Sequence, residues 1–505
     1  MDHDRIARLL EQVRATAPLK PWPRYEVDHA VFGEIGCVIG EGERELFGLW
    51  AEPGMVHMAL RPIGEAPCVV SAAVIDDRFP SIGRWHAPAI RLERAIHDLY
   101  GYIPEGAKDT RPWLDHGAWG IASPLGTRTA SEVRNPADYA FLPVHGEGLH
   151  QIPVGPVHAG IIEPGHFRFT ANGEIVARLE ERLGYVHKGI DALTTDASIE
   201  QAARVVARAS GDSTVAASFA FACAVEAALD FEAPPRAAVV RGVMAELERL
   251  ANHFGDIGAI CNDAAFALIH AYCGLLRERV LATCEAVFAH RLMMDLILPG
   301  GIAANITHDG ARLIIATLDE IGPVFAEIVR CYEETPSLQD RTCNTGFLAP
   351  ELAKRFAAGG HVGRASARDF DARRDLAYPP YIGRAFDVPL FTAGDVDARV
   401  RVRIDEVGAS MHLVRSFLAG LPDGPVLAPI PQNQAGEGAA ATEAFRGDLL
   451  VWLRVRSDGR IARCHVRDAS WMQWPLLEAV IKNNIVADFP LCNKSFNCSY
   501  SGHDL

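Results

Sequence analysis

The 505 residues carry a formal charge of −15, with 49% apolar and 22% charged side chains, the balance of a globular chain long enough for two hydrophobic cores. Net negative charge disfavours nucleic acid or an anionic lipid surface as the main partner, since both are recognised by positive potential. The 11 cysteines lie singly in apolar stretches such as "FAFACAVEAAL" and never as C-x-x-C, which points to packed, reduced thiols.

The N-terminal "MDHDRIARLLEQVRA" is charged and amphipathic without an apolar signal core, so a cytoplasmic protein is expected. Residues 1–145 alternate β-like runs ("VFGEIGCVIG", "MVHMALRPIG", "PCVVSAAVI") with helical ones ("DRIARLLEQVRA", "AIRLERAIHDLYGY"), predicting a small α/β domain. The Pro- and Gly-rich "LPVHGEGLHQIPVGPVHAG" marks a boundary near 145. Residues 146–505 open with a hairpin signal around Asn172-Gly173. Helical spacing follows over 198–209, 214–230, 236–258, 262–296 and 308–334, predicting a buried helix bundle. A charged, Pro-rich passage, a helix near 395–420, the glycine-rich "NQAGEGAAATEAFRG" and a second hairpin around Asp458-Gly459 complete the chain. The fold class is therefore α+β, a small α/β domain followed by a large domain of buried helices and peripheral hairpins. Apolar runs such as "AAFALIHAYCGLL" stop short of a bilayer's width, so no transmembrane helix is expected.

"VGPVHAGIIEPGHFRF", "RLGYVHKGID", "AELERLANHFGDIG", "RERVLATCEAVFAHRLMMDLILPGG", "RASARDFDARRD", "GDVDARVRVRIDE" and "NNIVADFPLCNKSF" resemble the large subunits of energy-converting nickel-iron hydrogenases of the formate hydrogenlyase type and the quinone-site subunit of respiratory complex I. The likeness covers Ile152 to Leu505. The preceding "DDRFPSIGRWHAPAIRLERAIHDLYGYIPEGAKD" resembles complex I's small peripheral-arm subunit, fused ahead of it as in formate hydrogenlyase.

In those hydrogenases two cysteine pairs hold the Ni-Fe centre, in R-x-C-G-x-C-x-x-x-H and S-F-D-P-C-x-x-C. The first falls here on "RASGDSTVAA", where Arg208 and Gly211 match but Ser210, Ser213 and Ala217 replace the cysteines and histidine. The second falls on "SFNCSYSG", where Ser499 and Gly502 stand at the cysteine positions and Cys498 is one residue out of register. Thiolates stabilise low-valent nickel, whereas serine is a hard, protonated donor. A metal site is therefore not expected. The resemblance also places complex I's quinone tyrosine at Gly211, and its histidine loop opposite Pro164 or His158.

Glu163 matches a carboxylate associated with proton transfer in the hydrogenases; the competing reading is a turn carboxylate accepting backbone N–H bonds. His158 and His166 flank it as relay candidates or as hydrogen-bonding residues of the hairpin. His187 follows the hairpin beside Lys188, and Arg208 offers either a fork for a negative group or a structural salt bridge. The run "RASARDFDARRD" is expected at an interface.

The resemblance implies a cytoplasmic subunit, peripheral on the inner face of the membrane, within a hetero-oligomeric complex I-like or hydrogenase-like oxidoreductase. It would sit beside an iron-sulfur subunit bearing a 4Fe-4S cluster and membrane ion-translocating subunits. Electrons would pass to a quinone-like or unidentified acceptor without Ni-Fe chemistry. The alternatives are a noncatalytic coupling or scaffold subunit of the same assembly and, against the lost cysteines, an active hydrogenase.

Overall fold

A computed structural model describes residues 5–11, 13, 19–61, 66–126, 139–158 and 162–505. The helices expected of the large region form as Ile199–Val206, Thr214–Leu229, Pro235–Asp263, Ala267–Phe288 and His308–Glu334, and that near 395–420 as Val396–Ala419. Their ends have local causes. Ser198 and Gln201 make a capping box, Pro235 occupies the first turn of its helix, and Thr307 accepts the Gly310 N–H. The fourth helix stops at Phe288 rather than 296, because Ala289 turns left-handed at φ 58°. Pro235–Asp263 runs through the middle of the bundle, packing on Ala267–Phe288 and Val396–Ala419. Its Val240, Met244, Leu250 and Phe254 are fully buried, each contributing roughly 1.5–3 kcal/mol of transfer free energy.

Both expected hairpins form, His166–Asn172 with Ile175–Arg182 and Gly447–Val455 with Ile461–Arg467. The glycine-rich stretch expected to connect elements is instead a strand, Gly436–Ala444, second in a four-stranded sheet. Its small residues serve close approach, not turning. A Cβ at Gly436 would lie 1.8 Å from the Ala228 carbonyl oxygen, and one at Gly438 2.0 Å from that of Ala224. The helix Thr214–Leu229 thus lies directly on this strand. Extended from Gly211, that segment reaches 19 residues at mean hydropathy 1.3, the length and apolarity of a membrane span, where the sequence suggested none. In the fold, 78% of it is buried inside the protein.

"VFGEIGCVIG", expected as a strand, lies within the helix His29–Glu41. Asp28 caps it by accepting the Val31 N–H at 2.9 Å. Gly33, Gly36 and Gly40 share one face, and that face settles the outcome. A Cβ at Gly36 would meet Ile82 Cδ1 at 2.7 Å and one at Gly40 the Trp85 carbonyl at 2.8 Å, so the helix exists to pack tightly on the following segment. The N-terminal sheet runs Arg24–Val27, Cys68–Ala73, Met55–Arg61, Glu45–Glu52. Its last strand faces the C-terminal sheet, with the Trp50 ring 5.5 Å from Trp452 and 5.3 Å from His465.

The run "RASARDFDARRD", expected at an interface, is largely interior. Arg364, Asp371 and Arg373 are fully buried. Arg364 pairs with Glu406 and, at 2.9 Å, with Glu443. Arg373 pairs with Asp371 at 2.6 Å and Glu246 at 3.1 Å. Arg368 reaches Glu45 of the N-terminal sheet at 2.7 Å. Such charges are tolerated inside only when every one is paired and hydrogen-bonded, and Tyr381 and Ser410 complete the shell around Glu246.

Candidate functional site

The segment opening the helix Thr214–Leu229 and the C-terminal segment meet across a cleft of about 710 Å3. Ser210 Oγ and Ser499 Oγ are 2.8 Å apart, so two of the four positions read as lost thiolates are in hydrogen-bond contact. Ser499 Oγ also accepts the Gly502 N–H at 2.8 Å, capping the short helix Tyr500–Asp504. Ser213 is buried beneath. At Gly502 there is no room for a ligand side chain: a Cβ would lie 2.9 Å from Asp468 Cγ and 3.1 Å from Ser499 Cβ.

Cys498 is buried, its thiol 3.8 Å from Gln473 Oε1. Burial pushes that thiol well above its ordinary pKa, which suits a packed, protonated sulfur rather than a ligand. The donor set is thus three hydroxyls and a glycine beside a carboxylate. It does not fit a nickel centre, which requires soft thiolate donors.

Other residues shape the cleft, and of these only Lys188 is named from the sequence, as the neighbour of His187. Arg446 grips Asp212 with both guanidinium nitrogens, at 2.7 and 2.6 Å, and also donates to the Asn497 carbonyl. Burial alone would raise the Asp212 carboxyl, but Arg446 and the Ser210 hydroxyl overturn it and hold the group at about 2. Lys188 Nζ donates to the Ala209 carbonyl at 3.1 Å and to Ser501 Oγ at 2.7 Å, tying both segments to the hairpin exit. Lys494 and Asn497 bring amine and amide to the wall, and partial burial raises the Asp263 carboxyl there. No periodicity marks these groups; Arg446 and Lys494 stand out only once the chain is folded.

Two of the sequence candidates line this cleft and three do not. Glu163 is exposed at the mouth, its Oε2 accepting the Ser501 N–H at 2.9 Å. His158 lines the same wall, 5.6 Å from the Phe167 ring. His166 faces away, its Nε2 accepting from Arg168 at 3.3 Å and its ring beside Phe141; burial lowers its pKa. His187 stacks near Trp119 and contacts the Asp504 carbonyl at 2.7 Å, outside the cleft. Arg208 makes the structural salt bridge, with Asp295. Gly211 lines the cleft with nothing within 4 Å of an added Cβ, so the position that resembles the quinone tyrosine faces open space.

Comparison with known proteins agrees with this architecture. The family described as respiratory-chain NADH dehydrogenase, 49 Kd subunit, matches residues 263–434 and 429–504. The carbon monoxide-induced hydrogenase of Rhodospirillum rubrum is 31% identical over 350 residues, 69% of this chain and 97% of that one. Formate hydrogenlyase subunit 5 of Escherichia coli (strain K12) is 29% identical over 489 residues, 94% of this chain and 85% of its own. An NADH-quinone oxidoreductase subunit of Bacteroides thetaiotaomicron is 24% identical over 459 residues, covering 86% of each chain. A chain of the membrane-bound sulfane sulfur reductase, an archaeal respiratory membrane complex, shares the fold with a TM-score of 0.67 at 21% identity, covering 71% of this chain and 99% of that one. The chain belongs to the family of the respiratory-chain NADH dehydrogenase 49 Kd subunit and its hydrogenase relatives.

Proposed function

We propose that this chain is the large subunit of a membrane-associated oxidoreductase of the complex I and hydrogenase kind, working without nickel. Its cleft takes electrons from an iron-sulfur partner, bearing a 4Fe-4S cluster, for a quinone-like acceptor, with protons handled at Glu163 and His158. The observation that carries this reading is the Ser210–Ser499 contact: the two segments that hold the metal in the hydrogenases still converge, but on hydroxyls. Residues 1–145 act as the small peripheral-arm domain fused ahead of it. Exposed Leu268, Tyr272 and Leu275 recur at helical spacing beside Asp263 and offer a partner an apolar stripe. The assembly sits on the inner face of the membrane through ion-translocating subunits.

The test is purification of the native complex, with subunit identification, metal analysis and assay with quinones. An iron-sulfur subunit in stoichiometric amount, quinone reduction and no stoichiometric nickel are expected. Nickel near one atom per chain would refute the reading. A second reading, a noncatalytic coupling subunit, draws on the cross-bonding of the cleft by Lys188, Arg446 and the two serines; it gains if the complex shows no acceptor bound in this cleft.

A further inference from the structure

A second cleft, of about 350 Å3, opens on the other side of the hairpin strand Ile175–Arg182, between the helices Ala89–Tyr100 and Ser470–Val480. Two carboxylates share one arginine at its inner end. Arg91 donates to Glu181 Oε2 at 2.9 Å and pairs with Glu478 Oε1 at 2.8 Å; the latter oxygen also accepts the Glu181 N–H at 2.8 Å. The second oxygen of Glu181, Oε1, is buried with no hydrogen-bond partner among the described residues, on a residue only 1% exposed. Of the other cations lining the cleft, Arg94 bonds Asp109 and backbone carbonyls, Arg111 bonds Asp109 and Glu180, and Arg178 donates to the Leu142 and Pro143 carbonyls; Lys482 lines the cleft as well, and neither carboxylate accepts a bond from it. Within ion-pair distance, one guanidinium thus serves two carboxylates, and a buried, unpaired charge is costly.

The pair is separated from the candidate site by the Phe167 ring. Glu181 is the cross-strand partner of Phe167, and partners in an antiparallel ladder point to the same face. The Phe167 ring stands 6.4 Å from that of Tyr500, which lines the candidate cleft. When ionised, Glu181 lies close enough to raise both the Cys498 thiol and the Tyr500 hydroxyl. Glu478, by contrast, keeps 28% of its side chain in contact with solvent.

We propose that Glu181 and Glu478 together hold one proton at the inner end of this second cleft and supply it to the candidate cleft. The supplying role rests on the function proposed above; the holding role does not. The proton enters from solvent at Glu478, resides on Glu181, and leaves when reduction of an acceptor adds negative charge beyond Tyr500; solvent then restores it. Burial, with Glu478 as like-charged neighbour, pushes Glu181 well above the usual carboxylate range against the pull of Arg91, and burial likewise raises Glu478.

The test is infrared difference spectroscopy of the assembled complex near neutral pH, comparing the parent with Glu181→Gln and Glu478→Gln. Each variant is expected to lack one protonated-carboxyl stretch of the parent, the second because Glu181 left alone with Arg91 ionises. Spectra of parent and Glu181→Gln that coincide in this region would overturn the proposal, whatever the complex reduces. Proton uptake during turnover is the second readout. A severalfold slowing in Glu181→Gln supports supply to the cleft; a lost band with proton uptake unchanged across pH refutes supply while leaving the function of the candidate cleft standing.

Discussion

The contact between Ser210 and Ser499 is measurable as a coupling free energy. Ser499→Ala removes the cap on the Gly502 N–H and the hydroxyl bond to Ser210, a loss of about 1–2 kcal/mol by the usual worth of a cap and a neutral hydrogen bond. Ser210 keeps Asp212 Oδ1 at 2.8 Å as its acceptor, so no buried hydroxyl is stranded and the loss does not grow further. Ser210→Ala removes its bonds to Asp212 and Ser499 but leaves the cap intact, a loss of about 1 kcal/mol. If the two hydroxyls are bonded, the double variant loses less than the sum of the singles, by roughly 0.5–1 kcal/mol. Native-state amide exchange at Gly502 is the assay, since it reads local opening without requiring a reversible global transition. Strict additivity of the two substitutions would mean that the segments do not meet as described, and the site built on their meeting would fall.

Glu163→Gln retains an acceptor for the Ser501 N–H while removing the titrating group, so the complex is expected to assemble normally with acceptor reduction lowered severalfold; unchanged turnover and coupling would favour the noncatalytic reading. Asp212, held at about 2, lies below its ordinary value, so its ion pair with Arg446 stabilises fully above pH ~4 and the benefit is lost as pH falls toward ~2. Denaturant curves of parent and Asp212→Asn should accordingly converge over that interval and stay separate above it. Gly438→Ala places a Cβ 2.0 Å from the Ala224 carbonyl and should destabilise by about 1–3 kcal/mol or more. Gly274→Ala, in a helix with nothing within 4 Å, should instead stabilise by roughly 0.5–1 kcal/mol; a thermal midpoint unchanged or raised in Gly438→Ala would contradict the helix-on-strand packing.

Local rules found the hairpins and the long helices because each carries its own signal: Asn172-Gly173 at φ 56°, the Ser198–Gln201 capping box, Pro235 at a helix start. They failed where a residue answers to a distant neighbour. Gly36 reads as part of a β-like run and Gly438 as part of a connecting stretch until Ile82 and Ala224 are placed beside them; only the 33, 36, 40 spacing carries a trace of a helix face. Arg364 and Arg373 read as interface residues until Glu406, Glu443 and Glu246 close around them. Ser210, Ser499, Glu163 and His158, which the resemblance singled out in separate stretches of the chain, line one cleft, and only the folded chain shows that they do.

What no local rule supplies is the set of bonds that now holds those segments together. In the hydrogenases that this chain resembles, four thiolates on one metal would do so. Here the Ser210–Ser499 contact, Lys188 spanning Ala209 and Ser501, and Arg446 spanning Asp212 and Asn497 cross the same gap. Each of these links is individually modest, but they converge on a few residues of each segment and reinforce one another. Hydrogen bonds among the chain's own residues thus bridge the cleft at several points. With its walls joined by hydrogen bonds and no room for a side chain at Gly502, the cleft is the one in which the proposed function would place an acceptor held by shape, amide and amine groups.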